Sequence, residues 1–204
     1  MNKNSYCVIM AGGLGKRFWP VSTRACPKQF CDILNVGKSF LRQTFERANQ
    51  IFDTQNIFIV TGTAYEELTK QQIPEIPSEN ILKEPFGKNT APCVAYAAYR
   101  IARVNPHASM VVVPSDHFIT NDAVYLDNIQ KGISFVEQFG GLLTIGINPT
   151  RPETGYGYIQ IKKNKFSEFI SKVKTFTENR TRNWQKFFWN RVISFGMPGY
   201  LSGK

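Results

Sequence analysis

An α/β fold built on a largely parallel sheet, covered on both faces by helices, is what this sequence predicts. Three observations lead there. Short β-rich runs alternate with helix-length stretches from the start of the chain, and strand alternating with helix implies a parallel sheet. The runs are apolar enough to be buried strands. The composition is that of an ordinary globular chain, 42% hydrophobic and 20% charged over 204 residues, which excludes wholesale disorder and low complexity. It leaves length for one sizeable core and the beginning of a second domain.

In order, the elements are a strand at 6–10, a helix at 39–50, a strand at 56–61 and a helix at 64–72. A strand at 81–84, a helix at 90–104, a strand at 110–114, a helix at 122–139 and a strand at 142–147 follow. The strand assignments rest on short β-branched and aromatic runs, the helix assignments on apolar residues recurring at helical spacing. The helix at 90–104 has a credible start, with Asn89 or Thr90 as cap and Pro92 in its first turn. After residue 147 the pattern changes to two extended segments, 156–162 and 172–177, with no long helix between them. No internal repeat and no interdomain linker is evident. In such sheets ligands bind at the carboxyl ends of the strands, so chemistry is sought just after each one.

No apolar run approaches the roughly 18 residues of a membrane span, and no signal-peptide pattern precedes residue 6, which points to a cytoplasmic protein without membrane partners. Cys7, Cys26, Cys31 and Cys93 show neither CxxC spacing nor His partners at metal-ligand spacing. Reduced structural thiols are the expectation.

The formal net charge of +10 raises the question of nucleic acid. All 15 acidic residues and 20 of the 25 basic ones lie at or before Glu178, so the last 26 residues carry half the excess and no acid. That basic tail, with Trp184, Phe187, Phe188, Trp189 and Phe195, could be an interaction arm stacking on bases.

The first strand runs into Ala11-Gly12-Gly13-Leu14-Gly15-Lys16-Arg17, followed by Phe18-Trp19-Pro20 and then Pro27-Lys28-Gln29-Phe30. Three glycines in four positions let backbone approach a ligand and aim N–H groups at an anion, while Lys16, Arg17 and Lys28 supply charge for a polyphosphate. The loop is neither a Walker loop, since no GK[ST] follows, nor a GxGxxG fingerprint. Taken alone, a plain tight turn would explain it equally well.

AGGLGKRFWPVS together with PKQF closely resembles the signature of the sugar-nucleotide pyrophosphorylases, in particular the bacterial mannose-1-phosphate guanylyltransferases. The stretches Lys83–Pro92, Val113–His117 and Gly146–Ile159 match the same family, collinearly from about residue 5 to 178. The resemblance implies a Rossmann-like three-layer nucleotidyltransferase domain over 1–178, incomplete at its C-terminal end. It also implies transfer of GMP from GTP to mannose 1-phosphate, giving GDP-mannose and pyrophosphate.

By that resemblance Ala11, Gly12, Gly13, Gly15 and Lys16 hold the triphosphate, and Arg17 stabilises the charge that develops on it. Lys28 neutralises the α-phosphate or the sugar phosphate. Asp116 binds Mg²⁺, a hard cation suited to one or two carboxylates. Glu84, Pro85 and Gly87, with Asn89 and Thr90, read the base. Gly155, Tyr156, Gly157 and Glu178 serve the sugar. From spacing alone, Glu84–Pro92 is a loop and a helix cap, Gly155–Tyr158 a glycine bulge before a strand, and His117 packs rather than orienting Asp116.

After Glu178 the family continues with a Lys-Pro completing an EKP motif and later with W-N-x-G, whereas this chain continues Asn-Arg-Thr-Arg. Restoring one adenine after the Glu178 codon lets bases compatible with residues 179–204 read KPDPKLAKVFLESGDFIWNAGIFVWK, which recovers both motifs. Some choices are forced: Asn183-Trp184-Gln185 must yield Leu-Ala, and Trp189-Asn190 must yield Leu-Glu. The expectation is that 179–204 is an out-of-frame tail, poorly soluble, and that the chain binds nucleotide weakly with little or no transfer activity. Three alternatives stay open: another sugar-1-phosphate nucleotidyltransferase, an inactive nucleotide-binding remnant, and a basic nucleic-acid-binding module. The last lacks any RRM, KH or helix-turn-helix signature. A homo-oligomer is equally open.

Overall fold

The computed structural model describes residues 3–13, 18–149, 157–167 and 170–177. These fall into two compact units, one running up to Gly141 and one from Leu142 onward.

The first unit holds a four-stranded parallel sheet. Its strands are β1 (Ser5–Met10), β2 (Ile57–Gly62), β3 (Ile81–Glu84) and β4 (Ser109–Pro114), in spatial order β3-β2-β1-β4. The crossovers carry α1 (Phe40–Ala48), α2 (Glu66–Gln72) and α3 (Thr90–Val104), and α4 (Asp122–Phe139) follows β4. The chain steps outward from β1 through β2 to β3, then returns to pair β4 on the other side of β1. Met10 lies beside both Val60 and Pro114, and Gly62 beside Glu84, so the carboxyl ends of all four strands are level.

Period-two alternation splits the core between the two faces of this sheet. Cys7, Ile9, Ile57 and Ile59 point to the face covered by Leu41 and Phe45 of α1 and Ile129 of α4. Tyr6, Val8, Phe58 and Val60 point to the other, covered by Cys93, Ala97 and Ile101 of α3. The three layers are those expected from the sequence. Helices α3 and α4 span 90–104 and 122–139 as expected, while α1 is shorter than 39–50, with Ser39 as its N-cap, accepting from the Arg42 N–H, and Asn49 as its C-cap.

Two expectations need correction. Residues 142–147 form no strand: they carry no regular secondary structure, and Leu142, Ile145 and Ile147 are exposed. An apolar run reports a preference for burial, but a strand also needs a neighbour to complete its ladder. β4, expected to be buried, is half-buried along most of its length because it is an edge of the four-stranded sheet.

The second unit contains an antiparallel pair, β5 (Tyr158–Lys165) and β6 (Ser171–Thr177), with Tyr158 opposite Thr177 and register shifts after Gln160 and Ile161. Over their described residues, the expected extended segments 156–162 and 172–177 fall on these two strands.

Candidate functional site

The strand order reverses between β1 and β4, and in open α/β sheets the crevice at such a reversal is where ligands bind. Ala11-Gly12-Gly13 leaves β1 on one side of this crevice, and Ser115-Asp116 leaves β4 on the other. The Ser115 N–H donates to the Met10 carbonyl at 3.0 Å, which carries the pairing of the two strands one residue into the crevice. Thr44 of α1 donates to the Ser115 carbonyl at 3.1 Å.

The glycine turn is anchored at its first residue. The Ala11 N–H donates to the Val60 carbonyl at 2.8 Å, while the Ala11 carbonyl accepts from Gln29 Nε2 at 2.7 Å and from Thr61 Oγ1 at 3.1 Å. Gln29 and Thr61 are both essentially inaccessible to solvent. A buried amide is expensive to leave unpaired, so this bond fixes where the single-turn helix Lys28–Phe30 sits against the end of β1.

That placement carries Lys28 across the crevice. Its Nζ forms an ion pair with the Asp116 carboxylate and lies 5.2 Å from the centre of the Phe18 ring. The two side chains are 25% and 23% exposed, so the pair is open to water and to exchange with an incoming anion. Glu84 approaches from the end of β3: a Cβ added at Gly12 would meet its Oε2 at 3.2 Å, tighter than nearly all real contacts. Glycine at position 12 is what allows this carboxylate so close. Partial burial pushes the Glu84 carboxyl above its usual value.

His117 helps to line a small cavity with Thr44, Arg47 and Tyr125 while the residue as a whole stays exposed. Burial holds its imidazolium down, opposed by Asp116 and assisted by Lys28 and Arg47. Asn121 caps α4, accepting from the Val124 N–H. Asn89 occupies the N-cap position of α3 with φ 65°, and its side chain makes no cap bond, so capping by Asn89 is corrected. With ψ −167° beside that φ, the residue is neither helical nor in the left-handed helical region, a backbone conformation sparsely populated by any residue but glycine. Thr90 opens the helix. Pro85, Phe86 and Gly87 form the bend between β3 and α3, with Phe86 exposed.

The structure thus gathers Ala11, Gly12, Gly13, Lys28, Glu84 and Asp116 at one end of the sheet, with Pro85, Gly87, Asn89 and Thr90 following β3. Gly157 lies in the second unit, where a Cβ on it would meet the Thr177 carbonyl at 3.4 Å. Gly15, Lys16, Arg17, Gly155, Tyr156 and Glu178 lie outside the described residues, as does the tail at 179–204. Sequence reasoning gives no role to Gln29 or Thr61. Gln29 stands inside the quoted PKQF, but nothing local marks its amide as buried.

Among the described residues no cluster of three or more His, Cys, Asp and Glu could hold a metal. Asp116 is a hard oxygen ligand of the kind that would suit Mg²⁺, which takes one or two carboxylates. No helix among the described residues is long and apolar enough to cross a membrane.

Known proteins resemble this chain in sequence, and a solved one in fold. A mannose-1-phosphate guanylyltransferase of Escherichia coli is 38% identical over 155 residues, covering 75% of this chain and 32% of that protein. One from Salmonella montevideo is 34% identical over 197 residues, covering 90% of this chain and 41% of its own length. The chain therefore spans less than half the length of these relatives. A solved structure from Thermus thermophilus, described as a mannose-1-phosphate geranyltransferase, superposes with a TM-score of 0.81 at 26% identity, over 97% of this chain and 55% of that one. The sequence model of the nucleotidyl transferase family matches residues 6–194, and with that match over most of its length the chain belongs to the nucleotidyl transferase family.

Proposed function

We propose that the crevice between β1 and β4 binds a nucleoside triphosphate and that its chemistry is transfer of GMP from GTP to mannose 1-phosphate, releasing pyrophosphate. The observation that carries this reading is the Lys28–Asp116 pair set across the crevice from the Ala11-Gly12-Gly13 turn. The names borne by relatives at 34–38% identity supply the base and the sugar.

Two polyanions must meet in this reaction, so neutralisation and in-line positioning carry most of the catalysis. The glycine turn offers N–H groups to phosphate oxygens, and Lys28 exchanges Asp116 for phosphate. Glu84, Pro85 and Gly87, with Asn89 and Thr90, line the approach to the base. Arg17, Gly15 and Lys16 complete the phosphate loop, and Gly155, Tyr156, Gly157 and Glu178 the sugar side. Mg²⁺ fits at Asp116, where it would supply further neutralisation of the phosphates when bound.

The reading of 179–204 as out of frame rests on the two motifs that one restored adenine recovers, while the family match itself runs on to residue 194. The DNA across the Glu178 codon decides between them: codons incompatible with the shifted EKP reading end the idea. With the tail out of frame, the chain binds nucleotide and turns over little. Calorimetry of the purified chain with GTP, ATP, UTP and dTTP tests the site, GTP binding most tightly. Failure to bind any of the four overturns the nucleotide assignment, tighter binding of another overturns the base, and full turnover with mannose 1-phosphate overturns the tail reading.

A further inference from the structure

Cys26 and Cys31 lack CxxC spacing, yet their sulfurs lie 3.3 Å apart, one at each end of the loop that carries Lys28 and Gln29. The loop is held in shape around them. The Thr23 N–H donates to the Cys26 carbonyl at 3.0 Å, and the Cys26 N–H donates to Thr23 Oγ1 at 3.1 Å. The Cys31 thiol faces the Cys26 and Pro27 carbonyls at 3.3 and 3.4 Å. Both cysteines are partly exposed, while Cys7 and Cys93 are buried.

We propose that Cys26 and Cys31 form a dithiol modification site that a low-molecular-weight disulfide oxidises to an intramolecular disulfide, closing a ring around Lys28. The inference stands independently of the nucleotide reading. Cys26 loses its proton and its sulfur attacks one sulfur of the small disulfide, whose other half leaves as a thiolate and takes up a proton. Cys31 then loses its proton and attacks the Cys26 sulfur, expelling the second thiol. Two protein thiols are oxidised, one small disulfide is reduced to two thiols, and two protons pass from protein to leaving groups. The Cys31 thiol is turned toward the Val21, Cys26 and Pro27 carbonyls, and burial with the Cys26 contact pushes it up to about 11, so the first attack is assigned to Cys26 and the resolving step to Cys31. The ring pins Pro27–Phe30, the segment whose position sets the Lys28–Asp116 pair.

The test treats the reduced, native, full chain with excess 5,5′-dithiobis(2-nitrobenzoate). Expected is release of two equivalents of thionitrobenzoate, a protein mass lower by two hydrogens and no retained adduct. Trypsin cleaves after Arg24, Lys28 and Lys38, so the product yields peptide 25–28 joined to peptide 29–38 until it is reduced. The Cys31→Ser variant keeps one thionitrobenzoate on Cys26 as a stable mixed disulfide. Two adducts retained on the native chain, no release, chains linked to one another, or linkage through Cys7 or Cys93 would each overturn the proposal.

Discussion

Lys28 is held by a partner it can give up. The Lys28–Asp116 pair is a quarter exposed on each side, so its own worth to stability is small, and the lysine is available to a phosphate that brings more charge than one carboxylate. Lys28→Met is expected to weaken GTP binding about 10- to 150-fold, corresponding to the ~1.5–3 kcal/mol of a charge-assisted hydrogen bond, with little change in folding stability. Calorimetry beside urea denaturation separates the two, and unchanged affinity would remove Lys28 from the site. Gln29, next to it, behaves oppositely. Its amide is buried and tied to the Ala11 carbonyl, so Gln29→Ala is expected to destabilise the fold by about 1–3 kcal/mol in urea denaturation. The four letters PKQF name both residues. Which of them faces water and which faces the core depends on what β1 places beneath the single turn at Lys28–Phe30.

Among the elements, helix α1 ties the crossover to the crevice. Its cap Ser39 accepts from the Arg42 N–H and donates to Gln72 at the end of α2, while Thr44 on its inner face supports Ser115. Ser39→Ala removes a cap and a link to α2 together and is expected to cost about 1–2 kcal/mol, read as a fall in the denaturation midpoint at unchanged slope. The positions of α1, α3 and α4 are legible in the sequence because apolar residues recur in each at a period near 3.6, whereas α2 offers only Leu68 and its length between two strands. Residues 142–147 read as a strand and form none for the complementary reason: six apolar-rich residues say nothing about which strand stands next to them.

For the whole molecule, the level carboxyl ends of β1, β3 and β4 bring the glycine turn, Glu84 and Asp116 to one end of the sheet. Burial raises the Glu84 carboxyl above the ordinary glutamate value, so the folded state holds its proton more tightly than the unfolded chain does. The stability this contributes is present at acid pH and is lost as pH rises through the raised value. Glu84→Gln is therefore expected to be more stable than the parent at pH 7, as about that pH lies above a carboxylate's range. The advantage shrinks as pH falls toward the ordinary value of 4.5, in denaturation series across that range. An advantage independent of pH would assign the effect to packing against Gly12. The net charge of +10 belongs to the same scale: half of it sits in the 178 residues that contain the crevice, where Lys28 stands in a site suited to phosphate.

Order and type of the regular elements in the first unit, the glycine turn after the first strand and the family resemblance can all be read before any folding is considered. They are local patterns or motifs at fixed spacing, which a chain carries whether or not it is folded. The remainder belongs to the folded molecule. Lys28 meets Asp116, Glu84 meets Gly12 and Gln29 is buried because the sheet is ordered β3-β2-β1-β4 and the loop after β1 folds back onto it, while Cys26 meets Cys31 through the local turn between them. Contacts between residues tens of positions apart are set by which strands become neighbours, and that choice is made by the burial of the whole core.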